Sequence, residues 1–375
     1  MFSNLNVNNI GDHSLPFHGG DAVELGFEGA QRLEREAVGI LVRLCGGNPA
    51  SVAGYICEGG TIGNIAGMWM GRNSLTSQSD DNERVAVLTT SLAHYSVVKA
   101  SDVIGTGKVK YVGCNASGEI SIELLEMNIR ELHDQGSCNL FIIVLSAGST
   151  MIGSVDDVGS VHSLRLRLEA ELGIKTYLHV DAAFGGFVLP FLSNPIAFGF
   201  DSGADSVVVD PHKMGGVPFG CGVVMYRSAI ADTVTRPANY LNSESDHCFN
   251  GSRSGAMAAA LWSSLHHYGY DSLCSRVQDC IRLRDHAVAK LSEIKYLKTI
   301  VGKTNQVCLL PINNPGIVNA MTRIIQGDPY FMHMATLPGD LADPQSDPVP
   351  ATKMILMPHH EEWQVDQFVS DINLP

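Results

Sequence analysis

Tyr177-Leu-His-Val-Asp-Ala-Ala-Phe-Gly-Gly186 is a short apolar run that ends on a carboxylate, and Ser206-Val-Val-Val-Asp-Pro-His-Lys-Met-Gly215 is a second that ends on a proline, a histidine and a lysine. Neither run alternates polar with apolar residues, the pattern of strands covered on both faces. Working outward, runs of the same kind stand at 85–88, 109–112, 140–146 and 222–226. Helical stretches fit between them at 121–134 and 161–172. An amphipathic helix fits 29–45, where Ala30, Leu33, Ala37, Ile40 and Leu44 share one face. Buried strands alternating with helices predict an α/β fold with a mostly parallel sheet.

From residue 255 the character changes. Helical stretches at 255–268 and 271–294 lead into short strands near 298–301, 307–311, 330–336 and 353–357, with further helices at 315–326 and 361–372. This predicts a smaller α+β domain, giving an N-terminal arm and helix over 1–45, a large domain over 46–254 and a small C-terminal domain over 255–375. The Pro- and Asp-rich stretch 337–351 reads as a surface loop.

The 375 residues are 45% hydrophobic and 17% charged, ample for a large core and unlike a disordered chain. Acidic residues outnumber basic ones, 39 to 25, for a formal charge of -14. That argues against a uniformly basic nucleic-acid surface. No stretch approaches the roughly 20 apolar residues of a membrane span, and the first residues lack a charged-then-apolar signal pattern. The expectation is a cytoplasmic protein with no membrane and no nucleic-acid partner. Nine scattered cysteines without a CxxC pair suggest buried free thiols, with neither a metal site nor a disulfide framework.

In open α/β sheets ligands bind beyond the carboxyl ends of the strands. Asp181 and Lys213 stand at two such ends. Taken singly, the Asp also fits a turn or helix cap, and the Lys a solvated loop. A partly dry site, however, lowers an amine's pKa toward that of an imine-forming nucleophile. A third element, Glu58-Gly-Gly-Thr-Ile-Gly-Asn-Ile65, opens a helical stretch whose first N–H groups can face an anion. It is not a P-loop, and Gly105-Thr-Gly-Lys108 fails that pattern too. A phosphate cradle, a carboxylate and an imine-forming lysine are the parts that pyridoxal 5'-phosphate requires.

These residues resemble the fold type I pyridoxal-phosphate enzymes. Within them they are similar to the group II amino-acid decarboxylases, and most of all to the archaeal-type L-tyrosine/L-aspartate decarboxylases. The resemblance runs from about residue 24 to the C-terminus. It is carried by Gly54-Tyr55, Gly59–Asn64, Ala93-His94-Tyr95-Ser96, Ser146–Ser154 with Asp156, His179–Ala183, Asp210–Gly215, Gly251–Gly255 and Met357-Pro-His359.

The resemblance implies that Lys213 forms the imine with the cofactor and that Asp181 pairs with its pyridine nitrogen. Ala183 packs against the ring, and His94 stacks on its other face. Gly60, Thr61 and His212 hold the phosphate, and Thr150 lies near the ring edge. The segment around Ser252 comes from a second subunit, which implies a homodimer with shared active sites. Tyr240 stands where relatives carry the acid that reprotonates Cα.

Two positions depart from the pattern: Ile62 replaces an acidic residue, and Lys353 replaces an arginine. Both bear on the substrate, because an ammonium grips a carboxylate less directionally than a guanidinium does. The expected reaction is decarboxylation of an L-amino acid to its amine. An acidic substrate would need a cation such as Arg253, Arg236 or Lys353; an aromatic one would need an apolar slot, to which Phe27, Tyr55 or Phe184 could contribute. A carbon–carbon lyase or a decarboxylation-coupled oxidative deaminase keeps the same cofactor.

Overall fold

The computed structural model describes residues 28–77, 84–239, 245–312, 314–327, 329–330 and 332–373. Helix α1 (Glu28–Leu44) buries Ala30 and Ala37 of the expected face together with Val38, Leu41 and Val42, while Leu33, Ile40 and Leu44 are half-buried at its edge. The chain then runs through β1 (Val52–Cys57), α2 (Gly60–Thr76), β2 (Val85–Thr90), α3 (Ser96–Ile104), β3 (Lys110–Val112), α4 (Ile122–Asp134) and β4 (Leu140–Ser146). It continues through α5 (Val158–Leu172), β5 (Lys175–Asp181), β6 (Ser206–Val209) and β7 (Gly222–Arg227). After β7 come α6 (Ala231–Val234), β8 (Arg236–Pro237) and β9 (Ser245–Asp246), the last two pairing with each other.

The main sheet has the order β1-β7-β6-β5-β4-β2-β3. The five strands from β6 to β3 pair in parallel, while β7 runs antiparallel to both of its neighbours. The mostly parallel sheet is therefore as expected. The apolar runs mark six of its seven strands; β1 escapes them because Ala53, Gly54 and Cys57 dilute the β-branched pattern.

Every residue of β4 is buried, because helices cover both faces. Ile142 and Val144 pack with Ala66, Met68 and Met70 of α2. Ile143 and Leu145 share the opposite core with Val161, Leu164 and Leu168 of α5 and with Val38 and Leu41 of α1.

Helix α7 (Gly255–Leu291) is broken at Gly269, whose φ of 64° and ψ of 177° are non-helical. The break falls between the two helical stretches expected there. The second sheet contains β10 (Leu297–Val301), β11 (Gln306–Pro311), β12 (Ala335–Pro338) and β13 (Pro348–Ile355), in the order β10-β11-β13-β12 and antiparallel throughout. Helices α8 (Pro315–Gln326) and α9 (Glu362–Ile372) pack on it. Asn314 caps α8 by accepting the Gly316 and Ile317 N–H groups, with Pro315 at the first helical position.

Two expectations fail in this sheet. The strand expected over 330–336 begins only at Ala335, and the loop expected over 337–351 is largely a hairpin. Thr336 lies opposite Pro350, and Pro338 opposite Pro348. Proline donates no ladder hydrogen bond, but Pro338 is in the edge strand β12, and Pro348 and Pro350 lie in the part of β13 beyond its pairing with β11, where that loss is tolerated.

None of the nine cysteines is in a disulfide; eight are buried and Cys274 is half-buried. Among the described residues, no helix is long and apolar enough to cross a membrane.

Candidate active site

The carboxyl ends of β4, β5 and β6 converge on a cavity of about 560 Å³, closed on one side by the start of α2 and on the other by residues of β11 and β13. The turn after β6, closed by the Lys213 N–H donating to the Asp210 carbonyl at 3.0 Å, brings Lys213 into the wall. Its Nζ lies 3.0 Å from Asp210 Oδ2. His212 Nδ1 donates to the Cys221 carbonyl at 2.7 Å, which turns Nε2 toward the same carboxylate oxygen at 3.6 Å. Burial pushes the Asp210 carboxyl above its usual range, an effect opposed by Lys213 and His212.

Asp181 ends β5. Its Oδ1 accepts the Ala183 N–H at 3.1 Å and its Oδ2 accepts Asn64 Nδ2 at 2.7 Å. An ionised carboxylate only accepts, so the Asn64 amide can point only one way. Its Oδ1 then receives His179 Nε2–H at 2.9 Å, leaving His179 Nδ1 to accept from Ser206 Oγ at 2.7 Å. Burial drives the fully enclosed His179 down to about 4, so it is neutral at pH 7 with the proton on Nε2. The Asn64 amide also donates to Ser96 Oγ at 2.8 Å, and that hydroxyl lies 2.8 Å from His94 Nδ1. One buried amide therefore fixes both the carboxylate and, through Ser96, the His94 ring. Burial lowers the His94 pKa, with the Asp181 charge acting in the opposite direction.

Gly59 and Gly60 form the cradle. Gly59, the residue before α2, has φ 128° and no side-chain cap, so the first N–H groups of α2 are left for an anion. A Cβ on Gly60 would stand 2.8 Å from Asp210 Oδ2, and one on Gly59 would stand 3.1 Å from His212 Cε1. Only glycine leaves this space open.

The 146–156 loop forms the third wall. Asp156 anchors it by accepting the Ser146 and Ile120 N–H groups, each at 2.7 Å. From the second sheet Gln306 Nε2 donates to the Ser149 carbonyl at 2.5 Å, and Lys353 Nζ donates to the Thr150 carbonyl at 2.8 Å. Burial, and then the Lys213 charge, lower the pKa of the Lys353 amine.

Of the residues expected at the site, Gly60, Thr61, His94, Thr150, Asp181, Ala183, His212, Lys213 and Lys353 all line this one cavity. Arg253, expected among the substrate contacts, does not line it. It is buried, ion-paired with Glu34, and donates to the Ile56 carbonyl at 3.1 Å, so it braces α1 against β1. Ser252 is exposed and outside the wall. Of the apolar candidates, Phe184 lines the cavity and Tyr55 is enclosed in the core. Arg236 is exposed, its guanidinium 5.8 Å from the Trp69 ring centre. Tyr240 and Phe27 lie outside the described residues. Asn64, Ser96, His179, Ser206, Gln306 and Phe219 had been given no role. The quoted stretches included the first four, but only partner geometry separates them from packing residues. Among the described residues, no cluster of His, Cys, Asp and Glu is suited to hold a metal ion.

Residues 64–308 match the pyridoxal-dependent decarboxylase conserved domain. The chain is 32% identical over 350 residues to a probable L-tyrosine/L-aspartate decarboxylase of Methanothrix thermoacetophila, spanning 92% of this chain and 82% of that protein. It is 32% identical over 268 residues to a tryptophan decarboxylase of Clostridium sporogenes, spanning 70% of this chain and 62% of the relative. In fold it superposes on the L-methionine decarboxylase of Streptomyces sp. 590 with a TM-score of 0.78 at 19% identity, covering 99% of this chain and 87% of the other. A lysine at a strand-end turn, a carboxylate fixed by a buried amide and a glycine cradle at a helix start thus coincide with a family match over most of the sequence, and the chain belongs to the pyridoxal-dependent decarboxylases.

Proposed function

We propose a division of labour among the cavity residues of this pyridoxal-phosphate-dependent amino-acid decarboxylase. The residues present fit the cofactor: glycines keep the cradle open, the start of α2 is uncapped, and Asp181 is oriented into a cavity that also holds Lys213. Lys213 would hold the aldehyde carbon, Asp181 would face the ring nitrogen, and the Gly60 and Thr61 N–H groups with His212 would face the phosphate. Ala183 and His94 would lie on the two faces of the ring, with Thr150 at its edge. When bound, the cofactor supplies an electron sink for the bond pair left as carbon dioxide departs.

The protein's own part is to hold charge and geometry. Asn64 and the Ala183 N–H keep Asp181 aimed, and neutral His179 adds no competing positive charge behind it. Lys353 offers N–H groups beside the Thr150 carbonyl for the substrate's α-carboxylate. The covered β11–β13 side limits water around the reacting carbon. The observation that carries this reading is the Asp181–Asn64–Ser96–His94 connection facing Lys213 across one cavity.

The active form would be a cytoplasmic homodimer, with Ser252 serving the partner's cavity. Tyr95 and Phe219, 60% and 88% exposed beside the cavity, support a covered mouth, and nine cysteines outside disulfides support a reducing compartment. Tyr240 stays a proposal as the proton donor to Cα. No described residue favours the lyase or deaminase alternative.

Borohydride treatment of the cofactor-loaded protein, followed by peptide mass spectrometry, tests the assignment. The cofactor mass should appear on the peptide containing Lys213 and disappear in Lys213→Ala together with amine formation. Label on a different lysine would overturn the assignment. Sedimentation at micromolar concentration should give twice the chain mass, and a monomer retaining full activity would exclude shared sites.

A further inference from the structure

Strand β13 gives the cavity an asymmetric wall. Side chains alternate along a strand, and Met354 and Leu356 enter the small-sheet core. Lys353, Ile355 and Met357 instead line the cavity. A single ammonium is therefore followed, one side-chain spacing along the strand (about 7 Å), by Ile355, and just past the strand end by Met357. Ile62 at the start of α2, Phe184 after β5 and Phe219 after the lysine turn add three more apolar side chains.

The charges of the same wall are equally lopsided. Among the described lining residues the lysines are Lys213 and Lys353, and the carboxylates are Glu58, Asp181 and Asp210. Lys213 is committed to the cofactor, so Lys353 is the one lysine left to meet a substrate carboxylate. A substrate with two carboxylates would find no second free lysine or arginine among the described lining residues, and near Ile62, Phe219, Ile355 and Met357 or near Glu58, Asp181 and Asp210 its second carboxylate would meet apolar surface or negative charge. Either is costly, since a desolvated carboxylate without a partner is strongly disfavoured.

Resting on the decarboxylase reading of this cavity, we infer that the substrate is an amino acid with one carboxylate and an uncharged apolar side chain, aliphatic or aromatic, and not aspartate or glutamate. Lys353 receives the α-carboxylate, and the surface of Ile62, Phe219, Ile355 and Met357 receives the side chain. The Lys353 hydrogen bond to the Thr150 carbonyl fixes where the carboxylate docks.

The test separates selectivity from turnover. Binding of 3-phenylpropanoate, hexanoate, succinate and glutarate to the cofactor-loaded protein is measured by calorimetry, because none of these has an amine to react. The monocarboxylates should bind at least tenfold more tightly than the dicarboxylates. Lys353→Met should weaken 3-phenylpropanoate at least tenfold, while Ile355→Lys should reverse the preference toward glutarate. In parallel, amine formation is followed with leucine, methionine, phenylalanine, tryptophan, aspartate, glutamate and lysine.

Dicarboxylates bound as tightly as monocarboxylates, binding of neither class, or fastest turnover of aspartate, glutamate or lysine would overturn the inference. If the ligand preference holds and no amino acid yields an amine, the decarboxylase reading fails and the shape and charge selectivity stands. If leucine, methionine, phenylalanine or tryptophan reacts fastest and the preference holds, both stand. Ile355→Lys keeps the test decisive should Lys353→Met fail to fold.

Discussion

Asn64 uses both ends of its side chain, donating to Asp181 and Ser96 and accepting from His179. Asn64→Leu keeps the volume and removes all three bonds, leaving a buried imidazole N–H without its acceptor. Stability should fall by about 1–3 kcal/mol. kcat/KM should fall on the order of a hundredfold, because Asp181 loses its orientation. Denaturant midpoints and steady-state kinetics on the variant measure the two effects, and unchanged kinetics would remove Asn64 from the mechanism.

His179 carries a pH signature of its own. Its folded pKa of about 4 lies below the roughly 6.5 of an unfolded histidine, so the unfolded chain binds more protons between those values. The stabilisation is full above pH 6.5 and is lost as pH falls toward 4, by on the order of 3 kcal/mol. Denaturant titrations at pH 7 and pH 4.5 should show a larger loss for the parent than for His179→Gln, and parallel losses would contradict the assignment. Lys213 and Asp181 were legible in the sequence because polar residues at the ends of apolar runs stand out. His179 was not, since one histidine inside Tyr177-Leu-His-Val180 looks like core until Ser206 is seen beside it on the neighbouring strand.

At the scale of elements, the two helix-associated glycines should respond differently to the same change. Gly269 breaks α7 in a backbone region nearly closed to other residues, yet a Cβ there would meet nothing within 4 Å. Gly269→Ala should therefore cost only backbone strain, about 1–3 kcal/mol, read as a lowered melting temperature with cofactor affinity unchanged. Gly60→Ala meets Asp210 and Ala183 at the cradle. It should weaken pyridoxal-phosphate binding at least tenfold, measured by equilibrium dialysis, with a smaller effect on the cofactor-free melting temperature. Equal effects of both substitutions on cofactor affinity would deny the cradle its role.

Apolar periodicity located most of the helices and the buried strands, because those elements meet solvent on one face or none. It failed at β12 and the first half of β13, where prolines and aspartates imitate a loop and only their pairing with each other reveals strands.

Across the whole molecule, the large sheet and the small one meet at the site through particular bonds. Gln306 and Lys353 reach from the small sheet to adjacent carbonyls of the 146–156 loop. Gln306→Leu should free the loop without touching Lys213 or Asp181. A rise in KM of about tenfold with kcat within about threefold is expected, as for lost uniform binding. A fall in kcat at constant KM would place Gln306 in the chemical step. No periodicity could have paired residue 306 with residue 149, since contacts between separately folded layers leave no local pattern.

The thiols add a built-in clock for motion. A buried sulfhydryl reacts with a disulfide reagent only when its surroundings open. Cys57 lies in β1 and Cys221 directly precedes β7 in the large sheet, whereas Cys308 lies in β11. The order in which these three become modified therefore timestamps which sheet comes apart first. If Cys308 reacts well ahead of the other two, the half carrying Lys353 opens by itself while the half carrying Lys213 stays shut.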